Sequence, residues 1–115
     1  MKTGFVSTTE KATVQIIAQK LVAEGHPDFD IMTHRGLELP EKPEPDAYFH
    51  AFEALGIEPQ NAIVIEDNVD GVAAAKTAGA RVVGVPGAMA QQTDLRAADT
   101  TFGSGSFIQW VRLFA

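Results

Sequence analysis

The stretch from Ala62 to Gly71 constrains the fold more than any other. Ala62 to Ile65 is a short, β-branched apolar run that breaks abruptly into Glu66-Asp67-Asn68-Val69-Asp70-Gly71 and then into alanine-rich sequence. Four residues are too few for a helix and suit a strand buried on both faces of a parallel sheet. Glu66 and Asp67 then fall at the carboxyl end of that strand, where open α/β sheets bind their ligands. Two adjacent carboxylates there suit a hard cation such as Mg²⁺. Capping of the following helix by Asp67 or Asn68 is the competing reading. A cap needs one such residue, whereas this stretch supplies Glu66, Asp67, Asn68 and Asp70 together.

The rest of the chain alternates in the same way. Gly4-Phe5-Val6 reads as a strand, followed by Ser7-Thr8-Thr9-Glu10 with the Ser7/Glu10 spacing of a capping box. A helix follows, with Val14, Ile17, Ala18, Leu21 and Val22 forming its buried face and Gly25 stopping it. Ser7 thus ends a strand and opens a helix, where a hydroxyl and free N–H groups serve either a phosphate oxygen or a cap. Phe29 to Thr33 is a further strand. Asp28-Phe29-Asp30 precedes it, at the amino end and away from Glu66 and Asp67, and reads as a solvated turn. His26, His34 and His50 stand singly, without metal-ligand spacing, and none is assigned to a metal.

Leu39 to Asp46 is a loop pinned by Pro40, Pro43 and Pro45, with Pro45 opening a helix through Tyr48, Phe52 and Leu55 that Gly56 stops. Lys42 lies in this loop. On its own it reads as a solvated charge; held near Glu66 and Asp67 it would offset their charge and that of a phosphate. The helix after the acidic stretch carries Val69, Val72, Ala73 and Lys76 and ends at Gly79. Arg81 to Gly87 is a strand with a turn, Asp94 to Arg96 a short helix, Thr100 to Phe102 an edge strand and Phe107 to Phe114 a terminal helix, with Trp110 in the core. Strand and helix in alternation indicate an α/β fold with a doubly wound parallel sheet and helices on both faces.

Composition narrows the function. The 115 residues make one domain at most. A net charge of −6 with nine scattered Lys and Arg argues against nucleic-acid binding. An acidic chain that handles phosphate needs a metal. Without cysteine there are no disulfides or thiolate sites. No run approaches the roughly 20 apolar residues of a membrane span and no signal-peptide pattern opens the chain, so a cytoplasmic protein without a membrane partner is expected.

Ser7 at a strand end, Lys42-Pro43-Glu44-Pro45-Asp46, and Ile65-Glu66-Asp67-Asn68-Val69-Asp70-Gly71 through Gly79 together resemble the haloacid dehalogenase (HAD) superfamily. The similarity is to its β-phosphoglucomutase and phosphoglycolate-phosphatase-like branch and runs from about Gly4 to Gly87. The resemblance implies an HAD-like, Rossmann-type core acting on a small phosphorylated metabolite. It implies that Ser7, with Thr8 beside it, binds the transferring phosphoryl group. Lys42 would stabilise the charge on phosphate and nucleophile, making Lys42 and Ser7 the catalytic pair, and Glu66 and Asp67 would hold Mg²⁺. The family's first motif, an Asp-x-Asp at the end of a central strand, is absent, as is the cap segment after it. Its first Asp is the nucleophile and its second the general acid and base. Residues 1–115 thus resemble a partial HAD-like core domain, the carboxyl-terminal half of such an enzyme.

Two functions follow from this reading. The chain is part of a Mg²⁺-dependent phosphomonoester hydrolase or phosphomutase, inactive until the other half is restored, or it is a stand-alone domain that keeps a phosphate and metal pocket for binding. A phospho-receiver domain places its acids before its Lys-Pro, the reverse of the order here. The parallel reading predicts that Ser7, Lys42, Glu66 and Asp67 converge at one edge of the sheet. Absence of the central strand predicts that the Gly4–Val6 and Ala62–Ile65 strands pair with each other or that an oligomer or the missing half closes the gap.

Overall fold

The computed structural model describes residues 1–85 and 95–101. Among these residues, five short strands and three α-helices follow in the order β1 (Gly4–Phe5), α1 (Lys11–Ala23), β2 (Ile31–Met32), α2 (Asp46–Leu55), β3 (Ile63–Glu66), α3 (Val69–Thr77), β4 (Arg81–Gly84) and β5 (Thr100–Thr101). Every strand pair is parallel, as the sequence pattern predicts. The strands nevertheless form two sheets, β1-β2 and β3-β4-β5. Gly4 pairs with Ile31 and Phe5 with Met32; Ile63 pairs with Arg81 through to Glu66 with Gly84; Val83 and Gly84 pair with Thr100 and Thr101. β1 and β3 do not pair with each other, so the direct pairing offered by the sequence reading does not occur.

The main core lies between α2, α3 and the inner face of β3 and β4. Tyr48 and Phe52 from α2, Val72, Ala74 and Ala75 from α3, Val64 from β3, Val82 from β4 and Leu95 pack together. Ala74 and Ala75 are wholly buried, and their small side chains let α3 sit close to the sheet.

Two packing expectations are corrected. β3 is buried on one face only: Val64 and Glu66 point inward while Ile63 and Ile65 are 61% and 51% exposed. The period of two sends alternate side chains to opposite faces, and no described element covers the second face. On α1, Val14 and Ala18 are buried, but Ile17 and Val22 of the expected stripe are exposed. The strands that α1 connects are only two residues long each, little surface for a stripe of five residues.

The Ser7/Glu10 capping box is not formed. Glu10 is itself the N-cap residue of α1 and makes no side-chain cap bond. Its carboxylate instead lies 3.7 Å from Arg35 Nη1. The sequence reading of 86–94, the terminal helix and Trp110 fall outside the described residues, whereas the edge strand is present as β5. No helix among the described residues is long and apolar enough to cross a membrane.

Candidate functional site

Glu66 is the polar residue around which the site is built. As the last residue of β3 it shares a face with Val64, so its carboxylate is directed into the protein and is only 7% exposed. A buried carboxylate is costly unless paired and hydrogen-bonded. Lys42 Nζ donates to Glu66 Oε1 at 2.5 Å, and the Tyr48 hydroxyl donates to the same oxygen. Glu66 Oε2 lies against Gly71, where any Cβ would overlap it. Gly71 is therefore needed for close approach, one turn into α3.

The proline-rich loop and the first turn of α2 deliver both partners. The Glu44 N–H donates to the Glu41 carbonyl at 3.0 Å, closing a turn around Lys42, and Pro45 leads directly into α2. This places the Lys42 ammonium 5.0 Å from the centroid of the Tyr48 ring, within cation–π range. Lys42 also donates to the Val6 carbonyl at 3.2 Å. One ammonium thus joins the end of β1 to the end of β3, across two sheets with no strand pair in common. Burial, then the negative charge of Glu66 and the hydrogen bond to it, push the Tyr48 hydroxyl far above the usual tyrosine range.

Asp67 follows Glu66 and is exposed. The capping role falls to Asn68, whose Oδ1 accepts from the Gly71 N–H at 2.9 Å. Asp67 Oδ1 accepts from Asn68 Nδ2 at 2.9 Å, and its second oxygen has no protein partner among the described residues. No three His, Asp or Glu side chains cluster as a metal cage among the described residues. Mg²⁺, however, is commonly held by one or two carboxylates together with phosphate and water, and the hard oxygen donors of Glu66 and Asp67 fit that pattern.

Ser7 is fixed by a residue that sequence reading missed. The buried Thr33, 1% exposed, accepts from the Ser7 N–H and donates to the Ser7 carbonyl, both at 2.9 Å. Ser7 Oγ accepts from the Thr9 N–H at 3.1 Å, leaving its own O–H proton available for donation. Ser7 therefore sits in a local turn rather than capping α1. Thr8 follows it on the wall of a shared cavity.

Asp30 lies at the opposite end of the β1-β2 sheet, where its carboxylate accepts from the Thr3 N–H at 2.7 Å. His26 stacks on Phe29 with centroids 4.5 Å apart, and His34 Nδ1 accepts from the Gly36 N–H.

Residues 1–79 match the haloacid dehalogenase-like hydrolase family. The chain belongs to that family. Among curated relatives, the phosphoglycolate phosphatase of Neisseria gonorrhoeae is 37% identical over 89 residues, covering 76% of this chain and 38% of that enzyme. Among solved structures, CbbY of Rhodobacter sphaeroides in complex with xylulose-(1,5)bisphosphate superposes with a TM-score of 0.77 at 30% identity, over 88% of this chain and 45% of that one. The β-phosphoglucomutase of Clostridium difficile gives a TM-score of 0.73 at 28% identity, over 95% of this chain and 48% of that one. The chain spans less than half the length of each of these three HAD relatives.

Proposed function

We propose that this chain is the phosphate- and Mg²⁺-binding part of an HAD phosphomonoester hydrolase or phosphomutase, and that it does not turn over substrate by itself. The observation that carries this reading is the double engagement of Lys42, with the Val6 carbonyl beside Ser7 and with Glu66. Lys42 thus touches the residue before Ser7 and the residue before Asp67, which supports one shared locus for the four. There, Ser7 donates a hydrogen bond to a phosphoryl oxygen and Lys42 offsets the charge that accumulates on it. Glu66 and Asp67 would hold Mg²⁺, which supplies further charge neutralisation when bound.

None of these side chains is a suitable attacking group. Lys42 is held by Glu66, and Ser7 Oγ has no neighbouring base among its hydrogen-bond partners. The nucleophile of this reading is the first Asp of an Asp-x-Asp motif on a strand between β1 and β3. Among the described residues no element covers Ile63 and Ile65 of β3, an apolar face that favours this reading over a stand-alone binding domain. The substrate is a small phosphorylated metabolite, in line with the sugar bisphosphate bound by the CbbY relative.

Calorimetric titration with inorganic phosphate, with and without Mg²⁺, tests this half-site. Phosphate should bind more tightly with Mg²⁺ present, with the gain lost in Asp67→Ala and binding itself lost in Lys42→Ala. Binding unchanged in both variants would remove the assignment.

A further inference from the structure

Thr33, the residue after β2, meets the end of β1 with its side chain rather than its backbone. The Thr33 N–H donates to the Phe5 carbonyl at 2.9 Å, so the parallel ladder of β1 and β2 reaches this point intact. The next rung of such a ladder would run from the Ser7 N–H to the Thr33 carbonyl. The Ser7 N–H instead donates to Thr33 Oγ1, and the same hydroxyl donates to the Ser7 carbonyl, both at 2.9 Å. Thr33 is buried, so water does not compete for this hydroxyl.

Peptide planarity carries the consequence to both sides of Ser7. The carbonyl and N–H of a trans peptide point in opposite directions, and both peptide bonds flanking Ser7 are trans. In the first, the Val6 carbonyl accepts from Lys42 Nζ at 3.2 Å while the Ser7 N–H faces Thr33. In the second, the Ser7 carbonyl faces Thr33, which turns the Thr8 N–H the other way. That N–H has no protein acceptor among the described residues. Holding both peptide planes fixes φ and ψ of Ser7, and with them the direction of its Cβ and hydroxyl.

The donors run in one sense. Lys42 donates to the Val6 carbonyl, the Ser7 N–H to Thr33, and Thr33 to the Ser7 carbonyl, leaving the Thr8 N–H at the end of the chain. A carbonyl has no proton to give and an N–H accepts none, so the position of the Thr33 hydroxyl proton follows from the chemistry. Hydrogen bonds aligned in this way polarise one another, here with the Lys42 charge at their head.

We propose that Thr33 is a positioning residue for phosphate: its hydroxyl links Lys42 to the Thr8 N–H through the two peptides around Ser7, fixing the Ser7 hydroxyl and presenting a polarised Thr8 N–H to the phosphoryl group. The proposal rests on the phosphate site at Ser7 described above and adds the residue that arranges it.

The test is a set of ¹⁵N–¹H titrations with inorganic phosphate of the 115-residue chain and its Thr33→Val and Thr33→Ser variants, with amide exchange measured on the parent. Phosphate should shift the Thr8 amide of the parent and slow its exchange, while the Ser7 amide, already bonded to Thr33, keeps its exchange rate. Thr33→Val, which keeps the shape and loses the hydroxyl, should bind phosphate about fivefold more weakly, as one net hydrogen bond implies. Thr33→Ser should bind as tightly as the parent. Both substitutions disturb a buried site, so a merely structural role would weaken phosphate binding in both, and that result overturns the proposal. If Thr33→Val does not fold, the parent and Thr33→Ser decide: phosphate that protects the Ser7 amide in place of Thr8, or weaker binding by Thr33→Ser, overturns it. If all three chains bind phosphate alike, the role of Thr33 fails and the phosphate site stands. If phosphate leaves residues 7–9 of the parent unmoved, the phosphate site fails and the role of Thr33 with it.

Discussion

Lys42 Nζ stands 2.5 Å from Glu66 Oε1, and this ion pair ties together two sheets that share no backbone hydrogen-bonded strand pair. The two side chains are 15% and 6% exposed, so neither charge is well solvated when its partner is removed. Lys42→Ala should therefore destabilise the chain by about 3 kcal/mol, the typical cost of an orphaned buried charge. Lys42→Ala combined with Glu66→Gln should recover part of that loss. Urea unfolding of the two variants checks both expectations; equal stability of Lys42→Ala and the parent would show that Glu66 is solvated.

Tyr48 gives the site an alkaline limit. Its hydroxyl is held protonated by burial first and by the Glu66 charge second, so its folded-state pKa lies above the unfolded value of about 10. The associated stability is complete below that value and declines as pH rises beyond it, because the unfolded chain releases the proton and the folded chain does not. Tyr48→Phe should remove this dependence above about pH 10 and leave Glu66 with one donor fewer. Unfolding midpoints from pH 8 upward report it, with a parallel decline in both proteins as the contrary result.

Several of these relationships were legible in the sequence, and their limits have physical causes. The parallel strand pattern predicts the sense of every pair formed, whereas β3, expected to be buried on both faces, turns Val64 and Glu66 inward and Ile63 and Ile65 outward. The pairing of Lys42 with Glu66 was approached through the family resemblance, since 24 residues separate them in the chain. Thr33 and Tyr48 were passed over because their roles depend on who sits opposite: a threonine inside an apolar strand and a tyrosine in a helix stripe look like packing residues until Ser7 and Glu66 are placed against them. The Ser7/Glu10 spacing misled because Ser7 Oγ is taken by the nearer Thr9 N–H, and α1 starts only at Lys11.

Asp99 predicts an acid response remote from the site. It accepts from Lys76 Nζ at 2.8 Å and from the Val82 N–H at 2.7 Å, tying the residue before β5 to α3 and β4. The Lys76 hydrogen bond, followed by that of Val82, holds its carboxyl below the ordinary 3.8. Its contribution is present above that ordinary value and is lost as pH falls through the lowered one. Asp99→Asn should flatten the acid limb of the stability curve, and added salt should weaken the effect because the pair is exposed. An unchanged acid limb would assign no such role to Asp99.

Among the described residues, the uncovered β3 face and the unpaired edges of β1 and β3 predict association. Ile63 and Ile65 expose apolar surface beside a strand edge that has no strand partner among the described residues. Light scattering should show a mass that grows with concentration, reduced by the Ile63→Lys, Ile65→Lys double variant. A stable monomer across the micromolar range would mean that this surface needs no partner.

Aryl phosphate hydrolysis tests the central claim most directly. The 115-residue chain with Mg²⁺ should release p-nitrophenol from p-nitrophenyl phosphate no faster than buffer, because Ser7, Lys42, Glu66 and Asp67 stabilise charge without an in-line nucleophile. The same chain extended at its amino end by an HAD strand bearing Asp-x-Asp should turn over faster by on the order of 10⁴-fold, the scale on which a lost nucleophile is felt. Robust turnover by the 115-residue chain, abolished by Asp67→Ala or Lys42→Ala, would contradict the account and place the nucleophile within these residues.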